Sequence, residues 1–219
     1  MRKLYLGVAI ILLISSAGAS AQFLGQMSPA SILKSGTGKF GGYFVTADDA
    51  LAIVGSVRYG FGDIMEGRFR LGLIDQDGPG TDPHIILGAD GKYLLWRYKG
   101  TAGFSGGFNN PIDLSLGFMG EYAVLESVRI LGVGGSVIGS WPYTFSNRST
   151  IEPYARLSIR YENTEVRHKF SGHDNGDGDD FEVGLNLGAL FSVTPVVDLT
   201  AEFQLDEQMA FLVGADFAF

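Results

Sequence analysis

Residues 211–219 read FLVGADFAF, an alternating pattern that recurs along the chain. Apolar side chains occupy every second position at its end: Val213, Ala215, Phe217 and Phe219. The positions between them are small or acidic, as at Gly214 and Asp216. A period of two is typical of a β-strand with one apolar face. A free chain end normally frays, so an apolar strand of this kind predicts a partner strand that holds it in place.

The same period recurs along the chain, in segments about as long as a tilted strand needs to cross a bilayer. Clear examples are LAIVGSVRYGF at 51–61 and VDLTAEFQL at 197–205. The pattern predicts an all-β chain, with eight strands as the alternative to a count of ten. The ten predicted strands are 39–46, 50–61, 65–75, 83–94, 111–122, 127–140, 150–161, 181–192, 197–205 and 209–219.

Three features favour a membrane barrel over a soluble sandwich. The alternate positions that form the polar face of each strand hold mostly Gly, Ser, Asn and isolated charges. This composition suits a narrow lumen better than a solvated face. Aromatic residues collect at segment ends, as membrane girdles require. Long polar connections at 75–84 and 162–180 alternate with short ones at 62–65 and 192–196, although the connection at 95–111 is longer than this alternation predicts.

With these segments and its terminal FLVGADFAF, the chain resembles the small bacterial outer-membrane β-barrel proteins of eight to ten strands, whose last strand typically ends in Phe. The resemblance implies a transmembrane antiparallel up-and-down barrel over residues 39–219. It also implies a place in the outer membrane of a Gram-negative envelope, surrounded by outer-membrane lipid and inserted by the barrel-assembly machinery. It implies no catalytic residues.

In a closed barrel the last strand pairs with the first, so that no strand edge stays free. We therefore expect Phe217 and Phe219 to act as the barrel-closing C-terminal signal.

The start of the chain has the layout of a secretory signal peptide, predicted at 1–21: a basic pair, an apolar run of eleven residues and an Ala-Ser-Ala cleavage site. Residues 22–38 are then a periplasmic N-terminal segment. Within it SPASILKSG predicts a short helix, with Ser28 as N-cap, Pro29 as first helical residue and Gly36 as stop.

Charge and cysteine content exclude several classes of partner. Loss of Arg2 and Lys3 with the signal peptide leaves 14 basic residues against 24 acidic ones, a net charge of −10 that argues against nucleic acid. The chain contains no cysteine, which excludes disulfides and thiolate metal sites. We expect no cofactor.

Charged residues on the polar faces of the strands form the main candidate site, a charge network that fills the lumen. Side chains fill the interior of an eight-strand barrel, and a ten-strand barrel is only slightly wider. The predicted network comprises Arg58, Arg68, Arg70, Asp90, Lys92, Asp113, Glu121, Glu152, Arg156, Arg160, Glu182, Asp198, Glu202 and Asp216.

Two weaker candidates lie in the long polar connections. Asn175, Asp177 and Asp179 have the spacing of the front of a calcium loop, but Asn186 stands where the closing Glu belongs, so a solvated loop is favoured. His168, His173, Asp174 and Asp82 are the candidates for a hydrolase at the outer rim.

These observations favour a non-enzymatic barrel that is structural or binds an unspecified extracellular ligand through its loops. A narrow, porin-like channel for small solutes is the alternative, and a rim-located hydrolase is third.

Overall fold

The computed structural model describes residues 27–47, 50–76, 83–98, 112–125, 128–146, 149–166, 178–205 and 209–219. Within these residues the chain is all β. The strands are β1 (Gly38–Ala47), β2 (Ala50–Gly60), β3 (Met65–Gln76), β4 (His84–Tyr98), β5 (Ile112–Val124), β6 (Val128–Ser140), β7 (Tyr143–Thr144), β8 (Thr150–Val166), β9 (Gly178–Thr194), β10 (Val197–Leu205) and β11 (Met209–Ala218).

Ten of these strands close into one antiparallel barrel. Each long strand pairs with its neighbour in the chain, β6 pairs with β8, and β1 pairs with β11 to complete the ring. The two-residue β7 adds only a short pairing to β8. The predicted fold class, a ten-stranded up-and-down barrel, is confirmed.

β8 and β9 are longer than predicted, at 17 residues each. The prediction followed the apolar alternation, which stops near Tyr161 and begins at Phe181. The backbone ladder between the two strands continues past that point, to the pair of Thr164 with Gly178. Backbone pairing does not require apolar side chains, so the ladder extends beyond the apolar alternation in the sequence.

The two faces of the barrel wall differ in polarity. Outward side chains are large, apolar and exposed, for example Ile53 at 65%, Phe69 at 55% and Phe118 at 61%. A soluble monomer seldom exposes so extensive an apolar surface, whereas a transmembrane barrel needs such a band against lipid. None of the described residues forms a helix of the length and apolarity needed to cross a membrane.

The barrel has two ends. The terminal rim carries the start of β1, the end of β11 and the short turns at 61–64 and 195–196; the distal rim is the opposite end. Aromatic pairs mark both. Tyr59 packs on Phe61 at the terminal rim, with ring centroids 5.0 Å apart, and Tyr161 packs on Phe181 towards the distal rim, at 5.2 Å.

Residues 27–37, here called the inner segment, lie inside the barrel and form no helix. Met27, Ser28 and Ala30 are fully buried, and the segment becomes exposed only at 34–37, where it joins β1 at the terminal rim. The predicted helix over 28–36 is therefore wrong. Wall side chains bind the backbone groups that a helix would have paired internally, and Gly36 (φ 75°) serves in a turn.

Candidate functional site

The inner segment is held by side chains of four different strands, β3, β4, β5 and β8. Lys92 donates to the carbonyl oxygens of Pro29 (2.7 Å) and Ser31 (2.8 Å), and Arg68 donates to that of Met27 (3.3 Å). The Ser115 hydroxyl donates to the Ala30 carbonyl. All of these bonds are accepted by backbone carbonyl oxygens of the segment, so they hold it in an extended path through the lumen.

Two wall carboxylates bind donors of the same segment. Glu66 accepts the Leu33 backbone N–H at 2.8 Å, and Glu152 accepts the Ser31 hydroxyl at 2.7 Å. Glu152 also accepts the Ser140 hydroxyl of the wall at 2.6 Å. Polar groups of the segment that water would otherwise satisfy thus find partners inside the barrel.

A glycine of the wall makes room where the segment enters. The backbone N–H and carbonyl of Gly60 bond to Thr37 and Gly36, each at 3.0 Å. A Cβ at Gly60 would lie only 2.8 Å from the Leu33 carbonyl oxygen, closer than real Cβ contacts allow. Gly60 is therefore required by the path of the inner segment.

The first ion-pair cluster lies beside the segment. Arg58 contacts Glu66 at 2.8 Å and Asp216 at 3.2 Å, and Lys92 approaches Glu66 at 3.5 Å. The Tyr43 hydroxyl donates to Asp216 at 2.6 Å, and the Arg68 guanidinium lies 5.7 Å from the Tyr43 ring centroid. Charges removed from water in this way are stable only when paired.

The second cluster repeats this chemistry on β8, β9 and β10. Glu202 accepts from the Tyr154 hydroxyl and from Arg156 at 2.6 Å, while Asn186 donates to its other oxygen at 2.9 Å. In both clusters the tyrosine ring covers a glycine on the adjacent strand: Tyr43 covers Gly214 and Tyr154 covers Gly188. A side chain at either glycine would displace the ring.

The third cluster lies nearer the distal rim. Arg70 contacts Asp90 at 3.3 Å and Glu121 at 3.7 Å. Arg160 contacts Glu121 at 3.9 Å and Glu162 at 3.3 Å, and it also pairs with Glu182. Two guanidinium groups thus face four carboxylates.

Apolar side chains fill another part of the lumen towards the distal rim. This apolar cluster consists of Met27, Tyr43, Val45, Ala52, Val54, Ile74, Ile86, Ala123, Leu125 and Leu212. Met27 belongs to it, so the inner segment reaches from the terminal rim to the apolar cluster. The inner segment, the ion-pair clusters and the apolar cluster together fill the barrel interior.

The structure places every residue of the predicted network on the inner wall. Beyond the three clusters, Asp113 pairs with Arg97 at 3.0 Å, and Asp198 pairs with Lys39. Sequence reasoning missed Glu66, Glu162, the two tyrosines and the inner segment. Glu66 lies on the same face of its strand as Arg68 and Arg70, and Glu162 on the same face as Arg160. Their alternating positions were therefore the only sequence signal that could have placed them in the lumen.

The two terminal aromatics lie at the seam between β1 and β11. Phe217 is the register partner of Phe40, and their ring centroids are 5.5 Å apart. The Phe219 backbone N–H donates to the Gly38 carbonyl at 3.1 Å, and the Phe219 ring occupies the space that a Cβ at Gly38 would take. Phe217 and Phe219 therefore both contribute contacts to the seam between β1 and β11.

The weaker sequence candidates fall mostly outside the described residues. Asn175 and Asp177 of the calcium candidate lie there, as do Asp82, His168, His173 and Asp174 of the hydrolase candidate. Asp179 is described, is exposed, and accepts from the Asn163 side chain at 2.7 Å. Across the described parts of the chain, no three His, Cys, Asp or Glu side chains are grouped as a metal site.

No protein-family model matches the chain, and neither does any curated protein. Solved barrels resemble it weakly. The N-terminal β-barrel domain of Pseudomonas aeruginosa OprF has a TM-score of 0.38 at 12% identity, covering 85% of this chain and 100% of that one. The KdgM porin has a TM-score of 0.38 at 11% identity (83% and 99% covered), and a de novo designed transmembrane β-barrel 0.37 at 16% (85% and 98%).

Proposed function

We propose that this chain is a non-enzymatic barrel of the bacterial outer membrane whose lumen is closed by the inner segment and the paired charges around it. In the membrane the terminal rim faces the periplasm and the distal rim faces outward, as in barrels with short periplasmic turns. The role of the protein is then structural, or it binds ligands at the distal rim, and it does not pass solutes.

One observation carries this proposal. Side chains from four strands bind the backbone of residues 27–33 inside the barrel. A water-filled pore has no need to bind its own chain so closely, and every such contact removes space through which solutes would move. The segment therefore supports a closed barrel over a porin.

The apolar cluster supports the same reading. Its side chains, including Val54, Ile74 and Leu212, are completely buried although they point into the lumen. An apolar constriction excludes water and so opposes the passage of ions. A narrow channel would have to cross this cluster as well as the inner segment.

Single-channel recording tests the proposal. The full chain, shown to be assembled by its heat-modifiable migration on a detergent gel, is inserted into planar bilayers. The closed-barrel proposal expects almost no steady conductance across a range of voltages. Reproducible open steps of uniform size from the assembled protein would overturn it and put the narrow channel in its place.

A further inference from the structure

The wall of the lumen binds the inner segment mainly through the backbone of that segment. Wall side chains donate hydrogen bonds to four carbonyl oxygens within 27–31, and two glutamates accept the backbone N–H groups of Ser31 and Leu33. The wall residues that make these bonds, here called the lumen cleft, are Glu66, Arg68, Lys92, Ser115 and Glu152. Every extended peptide carries the same backbone groups, so the bonds of the cleft are not specific to one sequence.

The side chains of the inner segment add two requirements of size and polarity. Ala30 is 0% exposed, which leaves no room for a longer side chain, and Met27 packs into the apolar cluster. The Ser31 hydroxyl donates to Glu152 at 2.7 Å, but the buried Ser28 hydroxyl has no hydrogen-bond partner within the described residues. A ligand of the cleft is therefore an extended peptide with an apolar residue in the place of Met27 and a small residue three positions later.

The strands of the barrel pair with one another independently of the inner segment. The ring of strand pairings begins at Gly38 and includes no residue of 27–37. Backbone bonds of Gly60 to Gly36 and Thr37 join the segment to the wall, and they lie at its exposed end. Departure of residues 27–33 from the lumen would thus leave every strand ladder in place.

We propose that the lumen cleft is a binding site for extended peptides that enter at the terminal rim, and that the inner segment is its tethered occupant. Cations and a hydroxyl face carbonyl oxygens, while carboxylates face N–H groups, and this arrangement of donors and acceptors matches a peptide backbone. The proposed orientation of the barrel makes the partner a periplasmic peptide. Binding itself does not depend on that orientation.

The tether decides whether a free peptide can enter the cleft. A short linker holds a bound segment at an effective concentration of roughly millimolar. The inner segment therefore excludes a free peptide of equal intrinsic affinity unless that peptide is present at a higher concentration. A cut within the exposed stretch 34–37 removes this advantage, so that the two then compete on equal terms.

Peptide exchange in the assembled full chain tests the proposal. A recognition sequence for a site-specific protease is inserted between Ser35 and Gly36, and the chain is cut after it has assembled in detergent. The probe is the peptide MSPASILKS, residues 27–35, labelled with fluorescein at its C-terminal end. Fluorescence anisotropy should show saturable binding to the cut barrel, at least about tenfold tighter than binding to the uncut one.

Changes in the peptide test specificity without altering the wall of the barrel. Ala30→Glu in the peptide brings a charge to a fully buried position, and methylation of the Leu33 nitrogen removes the N–H that Glu66 accepts. Each change should weaken binding about tenfold or more. Lys34→Gln is the matched control and should bind like the probe, because Lys34 is exposed.

No saturable binding to the cut barrel up to about 1 mM probe, or equal binding of the Ala30→Glu peptide, would overturn the proposal. If the insertion prevents assembly, Ala30→Glu in the full chain takes its place. The segment of that variant no longer fits the cleft, so the probe should bind without a cut, and failure to bind would again overturn the proposal. The closed-barrel proposal would survive either failure, since it is tested by conductance and not by peptide binding.

Discussion

At the residue scale, stability depends on ion pairs that the barrel removes from water. The side chains of Arg70 and Asp90 are 0% and 2% exposed, with 3.3 Å between the guanidinium and the carboxylate. Arg70 has a second carboxylate within reach, Glu121 at 3.7 Å. Removing Asp90 therefore leaves a buried guanidinium with weaker compensation.

Asp90→Ala is expected to lower the free energy of unfolding by about 3–5 kcal/mol, the usual loss when one partner of a buried pair is removed. Urea unfolding in detergent, followed by Trp fluorescence, measures the shift. Glu165→Ala is the matched control, since its pair with Arg129 is exposed on both sides and should contribute at most about 1 kcal/mol. Equal shifts in the two variants would mean that the lumen is hydrated like a surface.

Residue-scale features were predictable where parity alone decides them. Inward and outward side chains alternate without exception at Arg68, Phe69 and Arg70, so the charged wall could be derived from the sequence. The partners could not, because they depend on the register between strands. Arg70 pairs with Asp90 although Arg68 is the residue directly opposite it in the ladder.

At the element scale, the seam between β1 and β11 closes the ring. It combines nine register pairs with the packing of Phe219 over Gly38 and beside Phe40. This last strand could be predicted because its alternation runs uninterrupted to the final residue.

Phe219→Ala should reduce the fraction of assembled barrel, because the ring that covers Gly38 is lost and the seam opens at its end. The assembled fraction is read from heat-modifiable migration after expression in cells. Phe181→Ala is the control: Phe181 is 73% exposed and packs on Tyr161, far from the seam. If both variants assemble like the wild type, the closing role of the terminal residue is refuted.

The inner segment is the element that sequence reasoning placed wrongly. Ser28, Pro29 and Gly36 satisfy the local rules for a short helix. Those rules describe a segment that must satisfy its own backbone groups. Here Lys92, Ser115 and Glu66 satisfy them from the wall, and no local pattern reveals such distant donors and acceptors.

Gly60→Ala should destabilise the barrel by about 1–3 kcal/mol, as overpacking usually does, because its Cβ would collide with the inner segment. Gly55→Ala is the control on the same strand, since a Cβ there lies 3.8 Å from its nearest neighbour, the Leu71 carbonyl oxygen. The difference between the two urea midpoints is the measurement. Indistinguishable midpoints would show that the segment does not occupy its place beside Gly60.

At the scale of the whole molecule, two connections give the proposed orientation, although β4 and β5 are also separated at the terminal rim by a long stretch, residues 99–111. The turn between β9 and β10 at the terminal rim has two residues, at 195–196. At the distal rim, β8 and β9 are separated by residues 167–177. The contrast between these two connections is the basis of the proposed orientation.

Protease added to intact cells should cut within 162–180 and spare 192–196, because the first stretch belongs to the distal rim and the second to the terminal rim. Mass spectrometry of the released fragments identifies the cut sites, and permeabilised cells show whether 192–196 is cleavable at all. Cleavage at 192–196 in intact cells would reverse the orientation.

The interior of the barrel is filled by its own inner segment. Because the natural chain has no cysteine, a single introduced cysteine reports its own exposure. Ala30 is completely buried in the lumen, whereas Val196, in the turn at the terminal rim, is 54% exposed. The measurement is the rate of labelling by a hydrophilic maleimide in assembled barrels. Ala30→Cys should stay unlabelled until the barrel is heat-denatured, while Val196→Cys labels at once. Labelling of Ala30→Cys as fast as Val196→Cys in the assembled barrel would show that the inner segment does not fill the lumen.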